Sequence, residues 1–519
     1  MLLMQHFKTA ASVLTHRLPI SENLKVLFME DKLKMERLNA WSTYDLEMQK
    51  ACENFNAAYK KFISEGKTER ECIDLMVNEA EKAGFIELKK AIETGKKLKK
   101  GDKVYSVWMN KSAVLFRIGS KPFEDGLNIL GAHIDSPRMD VKQNPLYEDG
   151  GFAMLDTHYY GGIKKYQFVA MPLAIHGVIV KKSGETVVLN LGEDEDDPVF
   201  FVSDLLIHLA QEQMARKASE VIEGEALDIV IGNKPLIIDA RSKAGSTDKK
   251  APEKDAVKTA ILKLLKDNYG IEESDFESAE LEVVPAGAAR DAGFDRSMIL
   301  GYGQDDRVCA FPSLQAILNV KNAARAGGAG FERTAVCLLV DKEEIGSVGA
   351  TGMKSHFFEN ALAEVMNLAG DYSELKLRRC LANSCMLSSD VSSAFDPNYA
   401  SAFETKNTAY LGRGLVFNKF TGARGKSGSN DANAEYIAHL RAIFDSADIR
   451  TQTAELGKVD VGGGGTIAYI LALYGMNVID CGVPVLNMHA PFEATSKADV
   501  YEAYRAYCAF LEHCDLKNE

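Results

Sequence analysis

The sequence predicts an α/β fold: a mostly parallel sheet flanked by helices, interrupted by an inserted β-rich domain. Three observations predict it. The chain has 519 residues, too many for one ordinary hydrophobic core, so two domains are expected and one can sit inside the other. From about residue 295 onward, apolar runs of strand length alternate with helical periodicity, the pattern of a parallel sheet covered on both faces. Residues 151–289 read differently, with strand-like pieces separated by Gly and Lys-Ser-Gly turns and an acidic loop, GEDEDD. The predicted boundaries are therefore 1–150 plus 290–519 for the α/β domain and 151–289 for the insert.

The elements follow in chain order. Tyr44 to Ser64 and Glu69 to Ala83 place apolar residues at helical spacing. Their Phe, Met and Leu stripes are core or interface. Val104 to Trp108, Ala113 to Ile118 and Leu127 to Leu130 have strand character, the last ending in the loop GAHIDSPRMD. In the insert, strands are expected over Phe168 to Ala174, Gly177 to Val180 and Thr186 to Leu191, and DARSKAGSTDKKAPEKDA reads as a polar surface loop. Ser313 to Ala324 is a predicted helix, and Ala335 to Val340 and Val478 to Cys481 are predicted strands. Ser496 with Asp499 three residues on resembles a capping box opening the last helix, through about Glu512. The first 20 residues carry no acid; an amphipathic first helix and a transit peptide both fit that stretch.

Composition narrows the function classes. Hydrophobic residues make up 46% and charged residues 26%, as in a soluble enzyme. A net charge of −13 argues against a nucleic-acid footprint. No apolar run is long enough for a membrane span. The nine cysteines are scattered, with no C-x-x-C, which points to a reducing, cytoplasmic setting and away from a thiolate zinc site.

Ligands bind open α/β sheets beyond the carboxyl ends of the strands. Five candidate strand ends carry His133-Ile134-Asp135, Gln304-Asp305-Asp306-Arg307, Glu343-Glu344, Asp390 and Met488-His489. Each alone has an ordinary explanation: a surface histidine, a solvated acidic pair, an N-cap at Asp305-Asp306. Together they offer the imidazole and carboxylate ligands that zinc accepts when thiolate is absent. In His133-x-Asp135 the acid can accept the second imidazole N–H, the usual outer partner of a ligating histidine.

GAHIDSPR, QDDR, DKEEIGSVGATG, SSDVSSAFDPNY and MHAPFE resemble, in that order, the motifs of the aspartyl aminopeptidase family, M18. The similarity runs from about residue 100 to the carboxyl end. A weaker likeness, through H-x-D, D-D-R and E-E, is to the glutamyl aminopeptidases of a related family. The resemblance implies an aminopeptidase of the two-zinc exopeptidase type, cutting peptides through a metal-bridged water. His133 and Asp390 would hold one zinc, Glu344 and His489 the other, and Asp305 would bridge. Glu343 would be the general base and Asp135 would orient His133. Cobalt or manganese also suits these ligands. Asp306 is left as a helix cap. The insert would mediate dimerisation, and dimers would assemble into a tetrahedral dodecamer.

Softer expectations concern substrate. His208, in DLLIHLAQ, resembles a histidine that the family projects into a neighbouring subunit's site, and equally reads as an interface helix histidine. Lys419 lies beside a family substrate-binding lysine, with the alignment ambiguous by one residue. Gly462 to Gly465 reads as a glycine run opening a helix and approaching the substrate closely. Ser393 stands where acid-preferring relatives have a substrate-binding histidine, so an acidic and a neutral or broad amino-terminal preference both stay open. His158, His176 and His356 are read as structural. The rivals are a related two-metal carboxypeptidase or deacylase, with Arg138 or Arg307 meeting a substrate carboxylate, and a catalytically idle scaffold, against which the intact Glu343 speaks.

Overall fold

The computed structural model of the protein describes residues 35–236, 254–320 and 332–517. The amino-terminal 20 residues, most of DARSKAGSTDKKAPEKDA and the end of the helix expected over Ser313 to Ala324 lie outside them. The chain divides into two compact units, Met1–Asn39 and Ala40–Glu519. Every helix and strand among the described residues lies in the second.

Two helices open it. Asp45 caps Leu46–Glu65 by accepting from the Met48 N–H, and a reciprocal Thr68–Glu71 box starts Glu69–Lys82. They bury Tyr59, Phe62, Ile73 and Met76 against Phe311 and one face of a nine-stranded sheet. In spatial order that sheet is Ile86–Glu87, Lys103–Trp108, Ser112–Arg117, Thr334–Val340, Leu127–His133, Cys385–Ser388, Asn477–Gly482, Leu415–Asn418 and Thr451–Thr453. Its four central strands, Thr334–Val340 to Asn477–Gly482, run parallel, and antiparallel strands flank them. Alternate residues of these strands enter two cores, so Cys337 and Leu339 face one helix layer while Val336 and Leu338 face the other. That alternation explains the unbroken apolar runs, because both faces are covered. Removing one such side chain, as in Leu338→Ala, costs about 2–5 kcal/mol.

A second, antiparallel sheet of seven strands runs in spatial order Thr186–Leu191, Leu173–Val180, Ala279–Pro285, Arg138–Asp149, Phe152–Tyr160, Ile229–Gly232 and Phe201–Val202. It has its own core around Phe168, Ile179, Ile229 and Phe276, covered in part by the helix Ala256–Tyr269. The strands expected over Phe168 to Ala174 and Gly177 to Val180 are one strand, Leu173–Val180, preceded by a short turn of helix at Lys165–Gln167. Gly177 does not break it. At φ 133° it lets the chain approach so closely that a Cβ would sit 2.0 Å from the Glu280 carbonyl oxygen on the neighbouring strand.

The last helix is Lys497–His513, and the capping box expected at its start is not made. The Ser496 side chain caps nothing. Asp499 instead accepts the backbone N–H groups of Gly412 and Gly414 at 2.6 Å each. A buried loop with unpaired donors outcompetes a local cap for the same carboxylate.

Candidate active site

Four of the expected residues rise from three adjacent parallel strands of the main sheet. His133 ends Leu127–His133, Glu343 and Glu344 follow Thr334–Val340, and Asp390 follows Cys385–Ser388. The other two come from elsewhere. Asp305 follows Met298–Gly301, which pairs with Glu493–Ser496 in a three-stranded sheet, and His489 follows Pro484–Val485, which pairs only with Ser392–Ser393.

Local backbone aims these side chains. The chain leaves Thr334–Val340 through Lys342 in the left-handed region, at φ 69°, into one 3-10 turn, Glu343–Ile345. That turn directs the Glu343 and Glu344 N–H groups at Asp135, which accepts them through Oδ1 and Oδ2, each at 3.1 Å. Tyr160 Oη donates to the same Oδ2 at 2.9 Å. His489 is also left-handed, at φ 66°. Glu493 holds it there by accepting its N–H at 2.8 Å, while its other oxygen accepts the Asp305 N–H at 3.0 Å. A strained loop residue persists when its surroundings over-determine it.

The side chains converge. His133 Nε2 lies 3.2 Å from Asp305 Oδ1, and His489 Nε2 lies 3.3 Å from Asp305 Oδ2 and 3.5 Å from Glu344 Oε1. Donor atoms of His133, Asp305 and Glu344 lie within 4.8 Å of one another, as do those of His133, Asp306 and Asp390. His133 Nδ1 is 3.0 Å from the Asp135 carbonyl oxygen and 3.3 Å from its carboxylate. His489 Nδ1 faces the Gly162 carbonyl at 2.9 Å. Both rings therefore turn Nε2 toward the carboxylates, as outer partners of ligating histidines do.

Asp306 is not a helix cap. Its backbone is non-helical, Gly303 occupies the cap position, and both carboxylate oxygens are buried without a hydrogen-bond partner. Asp305 Oδ1 and Glu344 Oε1 are likewise buried and meet no donor but an imidazole Nε2, at 3.2 and 3.5 Å. Burial pushes the carboxyls of Asp306, Glu344 and Asp390 well above the ordinary range and that of Glu343 up to about 7. Asp305 goes the other way: burial opposes it, but hydrogen bonds and charge from His133 and His489 hold it low. Five acids thus surround two imidazoles with no Lys or Arg among them, and buried carboxylates in that excess call for cations. The donor set, carboxylate and imidazole without thiolate, suits zinc and similar divalent metals.

A cavity of about 500 Å3 opens over this cluster, lined by Asp305, Glu343, Glu344, Asp390 and His489 on one side. Asn418, Thr421, Gly463 to Thr466 and Lys354 complete the wall. The glycine run is a loop, tied by Gly464 N–H to the Thr421 carbonyl, and not the opening of a helix; the helix there is Ala468–Ala472.

Other expectations fall outside the cavity. Lys419 is half-exposed beside Asp431 at 3.4 Å, and its neighbour Asn418 takes the lining position. His208 sits on an exposed turn, not in a helix, beside the exposed side chains of Leu206, Ile207 and Leu209. Arg307 is fully buried, donating to the carbonyls of Ile134 and Lys67, and Arg138 is held by Glu69, Asp140 and Glu282. Neither lines the cavity. His176 bonds Glu71 and Glu193, and His158 and His356 are exposed.

Sequence reasoning missed Tyr160, Gly162 and Glu493. The signal for Glu493 was its place in MHAPFE, where an acid next to a histidine motif could be paired with it. Nothing in the pattern around Tyr160-Gly161-Gly162 ties it to the site.

Comparison with known proteins is consistent across the chain. The sequence model of the family described as aminopeptidase I zinc metalloprotease (M18) matches residues 62–511. A relative from Clostridium acetobutylicum described as a probable M18 family aminopeptidase 1 is 58% identical over 485 residues, 93% of this chain and 100% of the relative. The crystal structure of an M18 family aminopeptidase from Thermotoga maritima superposes with a TM-score of 0.84 at 42% identity, covering 92% of this chain and 100% of that one. That of aminopeptidase I from Clostridium acetobutylicum gives 0.82 at 55% identity, with the same coverage.

Proposed function

The chain belongs to the M18 family of zinc metalloproteases and is an aminopeptidase; from that premise we propose that it releases single amino-terminal residues from peptides, with Glu343 as general base and two zinc ions per subunit. The observation that carries the proposal is the set of His133, Asp305, Asp306, Glu344 and Asp390, whose side chains are buried, and the partly exposed His489, with unpaired Asp306 oxygens among them. His133 and Asp390 would hold one ion, Glu344 and His489 the other, and Asp305 would bridge. Asp306 would face the His133–Asp390 side, where its oxygens already point among the same donors. Cobalt or manganese can occupy the same ligands.

Bound metal of this kind supplies Lewis acidity to the scissile carbonyl and lowers the pKa of water toward neutrality. The chain's residues do the rest. Glu343, raised to about 7 chiefly by burial, is matched to taking a proton near neutral pH and returning it to the leaving amine. Asp135 holds Glu343 and Glu344 by their backbone N–H groups, so base and ligand stay in fixed relation. The acidic lining suits a free amino end. Arg138 and Arg307, the groups a carboxypeptidase would use, are occupied away from the cavity.

For specificity we favour a broad preference that includes neutral residues. Ser393, the outlying Lys419 and the lining by Val391, Leu456 and Met488 support it, while Lys354 is a lining cation available to an acidic end. The second sheet would act as the dimerisation insert; its strand Arg138–Asp149 pairs with Phe152–Tyr160 and Ala279–Pro285, so the insert begins ahead of the expected boundary at 151. The exposed apolar turn around His208 supports that reading, with His208 reaching a partner's cavity in a dodecamer. Free thiols at all nine cysteines support a cytoplasmic setting. No described helix is long and apolar enough to cross a membrane.

The test is a panel of free and amino-terminally blocked peptides with Asp, Glu, Leu, Met and Lys ends, after chelation and after adding zinc. Zinc-restored release from free ends only is expected. Cleavage of blocked peptides would contradict the proposal.

A further inference from the structure

The strand Phe152–Tyr160 belongs to the second sheet, paired with Arg138–Asp149 and Ile229–Gly232. Its end nevertheless delivers three consecutive residues to the catalytic cluster. Tyr160 Oη donates to Asp135 Oδ2, the oxygen that also accepts the Glu344 N–H, while Asp135 Oδ1 accepts the Glu343 N–H. The Tyr160 ring is fixed from behind, with the Arg138 guanidinium carbon 4.0 Å from its centroid. Gly161, at φ 72°, lies so close to Glu344 that a Cβ would meet its Cβ at 3.3 Å and its Oε2 at 3.4 Å. The Gly162 carbonyl accepts from His489 Nδ1 at 2.9 Å, which fixes the ring with Nε2 turned toward Asp305 and Glu344.

We propose that Tyr160-Gly161-Gly162 is a strap through which the second sheet positions the Glu343–Glu344 pair and His489, making Tyr160 a positioning residue for both turnover and retention of metal at the Glu344–His489 side. The proposal rests on the metal assignment above. Asp135 meets the His133 imidazole at 3.3 Å and accepts three further donors, one of them from the other sheet. Removing that donor leaves Asp135 fixed only by His133 and by the turn's own N–H groups. Outer-shell groups of this kind typically change metal affinity or activity by about 10–100-fold.

The test compares the intact protein with Tyr160→Phe, which keeps the ring and its contact with Arg138, and with Gly161→Ala. Tyr159→Phe, on the same strand and exposed, is the control. Two readouts are taken beside the melting temperature: kcat and KM on a free Leu-ended peptide, and zinc occupancy in zinc-buffered solutions without substrate. Tyr160→Phe is expected to lower kcat about 10–100-fold with KM within about twofold, and to weaken the second zinc about tenfold or more. Gly161→Ala should weaken the same zinc, and Tyr159→Phe should change neither readout. Wild-type kcat and zinc occupancy in Tyr160→Phe would overturn the strap, as would a lowered melting temperature with unchanged zinc affinity, the mark of a purely structural hydroxyl. If the unaltered protein turns over no peptide, the aminopeptidase reading fails while the zinc titration still decides the strap.

Discussion

Two buried charged clusters lie within one compact unit and are completed in opposite ways. Between the two sheets, Lys67 Nζ meets Glu193 at 2.5 Å and the carbonyls of Pro285 and Gly287, and His176 stands between Glu71 and Glu193 at 2.8 and 3.1 Å. Arg138 faces Glu69 and Glu282 at 2.8 and 3.0 Å. Here the chain supplies cations for its own acids. At the strand ends, Asp305, Asp306, Glu343, Glu344 and Asp390 are faced by two imidazoles, and no Lys or Arg among the described residues forms an ion pair with them. The same burial thus reads as framework in one place and as a ligand site in the other, and the difference is charge balance rather than acidity.

Substitutions can break that contrast, beginning with the largest effect. Glu343→Gln should lower kcat by roughly 10²–10⁴-fold with bound metal unchanged by elemental analysis; unchanged turnover would remove Glu343 from its role. Lys67→Met should act on the framework alone. Stranding buried acceptors and one partner of an ion pair costs about 3 kcal/mol or more in a urea titration, while metal content per folded chain should hold. In the proposed ligand site the stabilising cation would come from solution. Zinc at 100 to 1,000 times its dissociation constant should raise the stability of stripped protein by about 2.7–4.1 kcal/mol, and Asp305→Asn should lose most of that gain. A full zinc response in Asp305→Asn would place the ion elsewhere.

The smallest effect is titration within the framework. Burial disfavours the His176 imidazolium, but hydrogen bonds to Glu193 and Glu71 outweigh it and raise its pKa. Its contribution is therefore fully present below the unfolded value near 6.5 and is lost as pH rises through the folded value. His176→Gln should flatten that part of the melting-temperature profile. An unchanged slope would mean that His176 does not carry the charge.

Much of the α/β frame was legible because its strands are buried on both faces and read as unbroken apolar runs, as in Thr334–Val340. The ligand types were legible because they follow such runs. What escaped was long-range. Tyr160 ends a strand of the second sheet and Asp135, 25 residues earlier, lies in the loop after a strand of the main sheet, and no local pattern pairs them. Asp306 read as a cap because the sequence shows an acid before a helix and not the backbone that turns it inward. Ser496 and Asp499 had the spacing of a capping box, but distant glycine N–H groups took the carboxylate. Lys419 and Asn418 are adjacent in sequence, and only the strand's register decides which of them meets the cavity.

The most direct test of the central claim is anomalous diffraction at the zinc edge from crystals of stripped and reloaded protein. The account predicts two peaks per subunit, one among His133, Asp305 and Asp390 and one among Asp305, Glu344 and His489. Peaks at other residues, or none in this cluster under saturating zinc, would contradict it.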